Sequence, residues 1–338
     1  MSLPAPASIA RRVEALWYGN SPVTLLLLPF AWLFGLVGSL RRFAYRAGWL
    51  QQHRCGVPVV IVGNITVGGT GKTPLVGWIA DRLAADGRRV GVLSRGYGGS
   101  AAHEPRFVTR DSDPRDVGDE AVLLVTQTSA VVCVCADRFA GAQRLVAEGG
   151  VDIIVGDDGL QHYRLGRDVE IAVIDGARGF GNGRLLPAGP LREPRERLAD
   201  VDIVFVNGAS EGLDARRFDL RPTRVVSLDR SRQAGLDEFA GQRVWCVAGI
   251  GNPARFAATL SGAGIDPELV DVPDHGAVSL EALRAAQPWP ILMTEKDAVK
   301  YPASAVANAW FVAVDVEISP PDEAALMKIL RKLYVDSR

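Results

Sequence analysis

The run Thr66–Thr73, TVGGTGKT, follows the apolar stretch PVVIVG after two residues, Asn64 and Ile65, and directly precedes an amphipathic one. These residue types at this spacing suit the binding of a polyphosphate. The backbone amides of Thr66, Val67, Gly68, Gly69, Thr70 and Gly71 can close around phosphate oxygens, Lys72 reaches the β- and γ-phosphates, and the Thr73 hydroxyl is placed for Mg²⁺. Thr66 stands where the first glycine of such a loop is expected. A loop of this kind needs an acidic partner at the end of a second apolar strand, and VDIIVGDDG supplies Asp157 and Asp158 there. Adjacent carboxylates repel unless a cation neutralises them, so the pair reads as a metal-facing site. Asp-Gly is also ordinary turn chemistry, so a purely structural turn is the competing reading.

These features specify a P-loop nucleotide site without separating a switch from a kinase. Further motifs do so: LSRGYGG (93–99), GDE (118–120), DDGLQH (157–162), GNGRLLPAGPLREP (181–194), PDH (273–275) and MTEKDAVK (293–300). In this order the pattern resembles the tetraacyldisaccharide 4'-kinase family, from about residue 16 to residue 300. Gly276 departs from it, where a second histidine or a bulkier residue often follows the PDH histidine. The resemblance implies a P-loop kinase that moves the ATP γ-phosphate, with Mg²⁺, to the 4'-hydroxyl of a tetraacylated glucosamine disaccharide 1-phosphate in lipid A synthesis. It also implies roles. Asp119 matches the family's general base and His275 its hydrogen-bonding partner; Glu120, Asp157 and Asp158 match the acidic cluster at the metal; Tyr97, Arg138 and Arg192 match positions contacting nucleotide, phosphate or substrate.

Residue chemistry supports these roles unevenly. A sugar hydroxyl is a poor nucleophile, so its phosphorylation calls for a carboxylate to take the proton and cations on the transferring group. Asp119 at a helix start fits, but an N-cap aspartate followed by glutamate is an equally common helix opening. His275 alone is as compatible with an ordinary surface or core position. Arg192 lies in a Pro- and Gly-rich loop that fixes a guanidinium for bidentate phosphate contact, whereas Arg138 could equally be first-turn decoration. Thr294–Asp297 (TEKD) resembles a guanine-reading sequence but lacks the residue between lysine and aspartate, so GTP is not implied. Membrane-recruited ATPase switches share the GG-x-GK-[ST] run but carry a lysine just before the glycines; here that place is Val67.

Short Val/Ile runs alternating with amphipathic stretches after Arg54 predict βαβ units and a mainly parallel sheet flanked by helices. Strands are expected at 58–62, 90–94, 130–134, 152–155, 171–174 and 202–206, and helices at 72–85, 119–126 and 138–148. A polar stretch at 211–242 reads as a connector. Beyond it, strands at 244–247, 291–293 and 311–314 and a helix at 322–333 form a smaller α/β unit. The expected organisation is therefore an N-terminal membrane-associated segment (1–50), a P-loop kinase core (51–225) and a smaller C-terminal α/β domain (226–338).

Residues 19–40 carry no charged side chain, and the apolar core from Val23 is about 27 Å long as a helix at ~1.5 Å per residue, just short of a ~30 Å hydrocarbon slab. Pro29 is expected to kink it. Arg11 and Arg12 precede it and Arg41, Arg42 and Arg46 follow, so charge does not fix an orientation. The reading favours a helix lying in or dipping into the inner leaflet, at the cytoplasmic face of the inner membrane, with a marginal membrane span and a buried core helix as the alternatives. With 38 Lys+Arg against 39 Asp+Glu and 23% charged residues, the chain has no basic excess for nucleic acid, and no obligate protein partner is evident. The four cysteines form no C-x-x-C pair and read as reduced, mostly buried thiols, as in a cytosol-facing protein.

Overall fold

The computed structural model describes residues 13–19, 21–100, 103–209, 215–272 and 276–335. At its centre, β1 (Val59–Gly63) is buried along its whole length, and successive residues serve opposite layers. Val60 and Val62 pack with Leu75, Val76, Ile79 and Leu83 of α3 (Lys72–Ala85), with α5 (Asp119–Gln127), and with Leu326 and Leu330 of α10 (Pro320–Val335). Val59 and Ile61 pack on the other face with Ala142 and Leu145 of α6 (Arg138–Ala147). A strand covered by helices on both faces reads as a continuous apolar run, which is why the Val/Ile runs were informative.

Parallel to β1 lie β5 (Ile153–Asp157) on one side and β6 (Val169–Asp175) on the other. Beyond β5 come β2 (Val90–Ser94), β4 (Val131–Val134) and the short antiparallel β3 (Arg106–Phe107). Beyond β6 come β7 (Ile203–Asn207) and β8 (Arg216–Ser227), to which β9 (Gln233–Ala234) adds an antiparallel pair. The ladder then reverses: β13 (Ala309–Ile318) runs antiparallel to β8 and continues through β12 (Ile291–Thr294), β10 (Arg243–Val247) and β11 (Asp266–Val270), parallel to one another. One sheet thus runs through both expected α/β units, and α7 (Pro253–Gly262), α8 (Leu280–Ala286) and α9 (Glu295–Ala298) cover its far part.

The expected connector at 211–242 is corrected: it contains β8, the strand joining the two parallel sets. Its sequence RRFDLRPTRVVS is polar because much of its length is only half-covered, with Arg221 donating to Glu317 across the ladder at 2.6 Å. Pro222 is tolerated at a register shift opposite Val314, where a missing N–H costs the ladder little.

The N-terminal apolar segment is two helices, α1 (Val23–Leu26) and α2 (Leu28–Arg46). Pro29 does not kink a continuous helix; it sits in the first turn of α2, where its fixed φ and absent N–H suit a helix start. Among the described residues, no helix is long and apolar enough to cross a membrane. Nor is α2 a core helix. Its contact with the body is a narrow stripe, with Ala31 buried and Gly35 against Leu185, while Phe30, Trp32, Leu33, Leu36, Val37, Leu40 and Phe43 are exposed. The remaining short helix is α4 (Pro114–Val117), immediately before α5.

Candidate active site

The loop after β1 emerges at the strand flanked by β5 on one side and β6 on the other, the place in an open α/β sheet where a crevice forms beyond the strand ends. Gly68 (φ 106°) and Gly71 (φ 87°) hold left-handed backbone conformations, and a Cβ on Gly71 would collide with Asn207 Nδ2. Asn207, at the end of β7, donates to the Thr70 carbonyl at 3.1 Å, and Asn64 Nδ2 donates to the Gly68 carbonyl at 3.3 Å. Thr66 replaces glycine because nothing left-handed is needed there: it forms a β-bridge with Leu191, and Val67 N–H donates to Pro190 O at 2.8 Å. The PAGPLREP loop is therefore seated on the phosphate loop, and Arg192 N–H donates to Ile65 O at 2.7 Å.

That seating aims Arg192 at Asp158, whose two carboxylate oxygens accept from Nη1 at 3.1 and 2.9 Å; Lys72 Nζ lies 3.6 Å from Asp158 Oδ1. Burial would raise the Asp158 carboxyl, but Lys72 and then Arg192 outweigh it and hold the group well below the usual range. Asp157 differs. It is 2% exposed, and burial, followed by the nearby Glu120 charge, pushes it up. Its Oδ2 accepts from the Thr73 hydroxyl at 3.0 Å, while its buried Oδ1 has no hydrogen-bond partner among the described residues. An orphaned carboxylate oxygen beside the P-loop hydroxyl is the donor set that suits Mg²⁺, an ion that keeps several waters and few carboxylates. Among the described residues, no group of three or more His, Cys, Asp or Glu could hold a metal ion.

Arg138 is not first-turn decoration. It is buried, and its Nη2 donates to the Asp157 carbonyl at 2.9 Å and its Nη1 to Cys135 O at 3.3 Å, which pins the end of β5; burial lowers its pKa to about 10. Asp119, 4% exposed at the start of α5, accepts from Glu120 N–H at 2.9 Å and lies 3.6 Å from Lys300 Nζ. Glu120 Oε1 accepts from Lys296 Nζ at 2.9 Å. Tyr97 is exposed in the loop after β2, whose backbone packs on Gly118: a Cβ there would lie 2.7 Å from Tyr97 O. His275 lies outside the described residues.

Several residues at the site escaped the sequence reading. Asn207 ends an apolar strand as Asp157 does, a signal open to the same argument. Gly251, in the loop between β10 and α7, approaches so closely that a Cβ on it would lie 2.5 Å from Gly69 N. From the next helix, Arg255 Nη2 donates to Asn207 Oδ1 at 2.9 Å. Lys296 and Lys300 of TEKDAVK pair with Glu120 and Asp119 of the GDE triplet.

The family profile described as tetraacyldisaccharide-1-P 4'-kinase matches residues 23–334. The chain belongs to this family. A tetraacyldisaccharide 4'-kinase of Alkalilimnicola ehrlichii is 51% identical over 310 residues, covering 91% of this chain and 93% of the relative. One from Pseudomonas paraeruginosa is 47% identical over 315 residues, covering 93% and 95%. A crystal structure of LpxK from Aquifex aeolicus in complex with ATP superposes with a TM-score of 0.76 at 25% identity, covering 92% of this chain and 99% of that one. The tetraacyldisaccharide-1-P 4'-kinase assignment makes the chain an ATP-using kinase, and the family match includes β8, the strand that sequence patterning missed.

Proposed function

We propose that the chain transfers the γ-phosphate of ATP to the 4'-hydroxyl of a tetraacylated glucosamine disaccharide 1-phosphate, a step in lipid A synthesis, at the cytoplasmic face of the inner membrane. The observation that carries this reading is the pairing of a phosphate loop and an orphaned Asp157 oxygen with a second buried carboxylate, Asp119, at the start of α5. Asp157 and Thr73 would hold Mg²⁺, whose charge, when bound, offsets that of the phosphates. Lys72 and Arg192 supply positive charge where the transferring group gains negative charge. Asp119 accepts the acceptor hydroxyl's proton as its oxygen bonds to the γ-phosphorus and the bond to the β-phosphate oxygen breaks, releasing ADP. His275 is assigned as the partner that orients Asp119, on the strength of the family pattern.

The apolar, exposed surface of α2 ends in Arg41, Arg42 and Arg46, which suits acyl chains below anionic headgroups. An acceptor embedded in the leaflet then meets ATP from the cytosol. The test is transfer of γ-labelled phosphate from ATP to a disaccharide-1-phosphate lipid in mixed micelles, with a 4'-deoxy acceptor as control. Label in the first lipid only is expected; equal ATP hydrolysis without any lipid product would overturn the reading.

A further inference from the structure

The motif TEKDAVK has no place in the reaction just described, yet its side chains form a buried, charged contact between the far part of the sheet and the phosphate-loop part. Thr294 caps α9 and donates to Asp297 Oδ2 at 2.6 Å, and the same oxygen accepts from Gly249 N–H at 2.9 Å. Lys300 Nζ donates to Asp297 Oδ1 at 2.7 Å and to the Gly276 carbonyl at 3.0 Å, and forms an ion pair with Asp119 Oδ2 at 3.6 Å. The side chains of Lys300, Asp297 and Asp119 are 8%, 1% and 4% exposed. One turn earlier, Lys296 pairs with Glu120, and Gln127 Nε2 donates to Glu295 at 2.8 Å along the same helix face.

Burying an ammonium between two carboxylates is a poor way to stabilise a fold, because desolvation offsets the attraction and an apolar residue of similar volume often does as well. The arrangement instead defines a position. Asp297 is fixed by the Gly249 amide and by its own helix cap, Lys300 is fixed by Asp297, and Asp119 is met by Lys300. Gly276, which Lys300 also holds, is the first described residue after the PDH triplet. Gly249 has room for no side chain here: a Cβ would lie 2.7 Å from Asp297 Oδ1 and 3.1 Å from Lys300 Nζ. Two residues on, Gly251 abuts the phosphate loop at Gly69. A single ammonium therefore references the Asp119 carboxylate to the far part of the sheet, to Gly276 and, through one short loop, to the phosphate loop.

We propose that Lys300 is a positioning residue for phosphoryl transfer: it aims the Asp119 carboxylate at the acceptor hydroxyl and makes that aim depend on the docking of the far part of the sheet. This rests on the assignment of Asp119 as the proton acceptor. Lys300 acts on neither substrate directly; its effect is exerted through Asp119.

The experiment is steady-state kinetics of Lys300→Gln, Lys300→Arg, Asp119→Asn and the Lys300→Gln/Asp119→Asn double variant, with ATP and the disaccharide-1-phosphate lipid both varied. Thermal melting accompanies each. Lys300→Gln keeps a donor for Asp297 or Gly276, so it serves where a larger change would unfold the chain. It is expected to lower kcat by about 10²-fold with both KM values within about threefold, since a misdirected base weakens only the transition state. Lys300→Arg, which restores a buried cation, should recover at least about tenfold of that loss, and the double variant should be no worse than Asp119→Asn within about threefold. A Lys300→Gln enzyme with near-normal kcat overturns the proposal. So do a kcat loss matched by rising KM values, an arginine variant no better than glutamine, or losses that add fully with Asp119→Asn. Failure of the wild-type enzyme to phosphorylate the lipid would instead contradict the underlying assignment, which separates the two outcomes.

Discussion

At the scale of single residues, the site works by giving neighbouring carboxylates opposite surroundings. Asp158 faces two cations and stays ionised, whereas Asp157 is buried with one oxygen unpaired among the described residues, a setting that a bound cation would favour. Lys72→Ala removes a charge from this balance, the side chain being paired with Asp158 and part of no apolar cluster. Transfer is expected to fall by roughly 10³-fold or more while the melting temperature changes little; a folded alanine variant with near-normal turnover would exclude a phosphate-loop mechanism. His162 gives a prediction of a different kind. Burial, then the charges of Arg138 and Arg95, depress its pKa from 6.5 to about 4. The unfolded chain thus binds the proton more readily between those values, so stability present above pH 6.5 is lost as pH falls towards 4. Melting followed from pH 7 to pH 4.5 should show a steeper decline for the wild type than for His162→Asn. Parallel curves would count against a buried neutral histidine.

At the scale of elements, the P-loop, its helix and the strands of the parallel core were legible because strands buried on both faces leave unbroken Val/Ile runs, and because Gly-Lys-Thr marks a strand-to-helix turn by its own chemistry. The strand β8 was not, since its polar residues find partners on a neighbouring strand and its proline sits at a bulge, neither of which composition can reveal. The two lysines of TEKDAVK were visible but not interpretable: their acidic partners lie 176 and 181 positions earlier in the chain, and only folding brings them together. Two further outcomes belong here. Replacing Leu33 and Val37 of α2 by glutamate touches no core contact, as both are 58% exposed. It should weaken recovery on anionic vesicles and raise acceptor KM by roughly tenfold or more with ATP KM unchanged; loss of folding would instead make α2 part of the core. Gly251→Val drives a side chain into the Gly69 amide and should raise ATP KM without altering vesicle binding, measured by flotation and kinetics on the same preparation. Unchanged ATP KM would mean that the two loops separate when nucleotide binds.

At the scale of the whole molecule, one sheet serves both a nucleotide site and the platform that meets it. The phosphate loop lies beyond the end of β1, the far part of the sheet reaches back through Gly251, Arg255, Lys296 and Lys300, and α2 presents its apolar surface to the outside. Under the proposed function these three features act together, as a phosphate-donor site, a buried base and a surface for acyl chains. The residue-level account stands or falls on where the phosphate goes. Proton–phosphorus correlation NMR of the product formed from ATP and the disaccharide 1-phosphate should show a new phosphomonoester coupled to the proton at the 4' carbon, with the 1-phosphate signal unchanged. A phosphoryl group at any other hydroxyl, or a diphosphate built on the existing 1-phosphate, would contradict the assignment of Asp119 as the base for the 4'-hydroxyl.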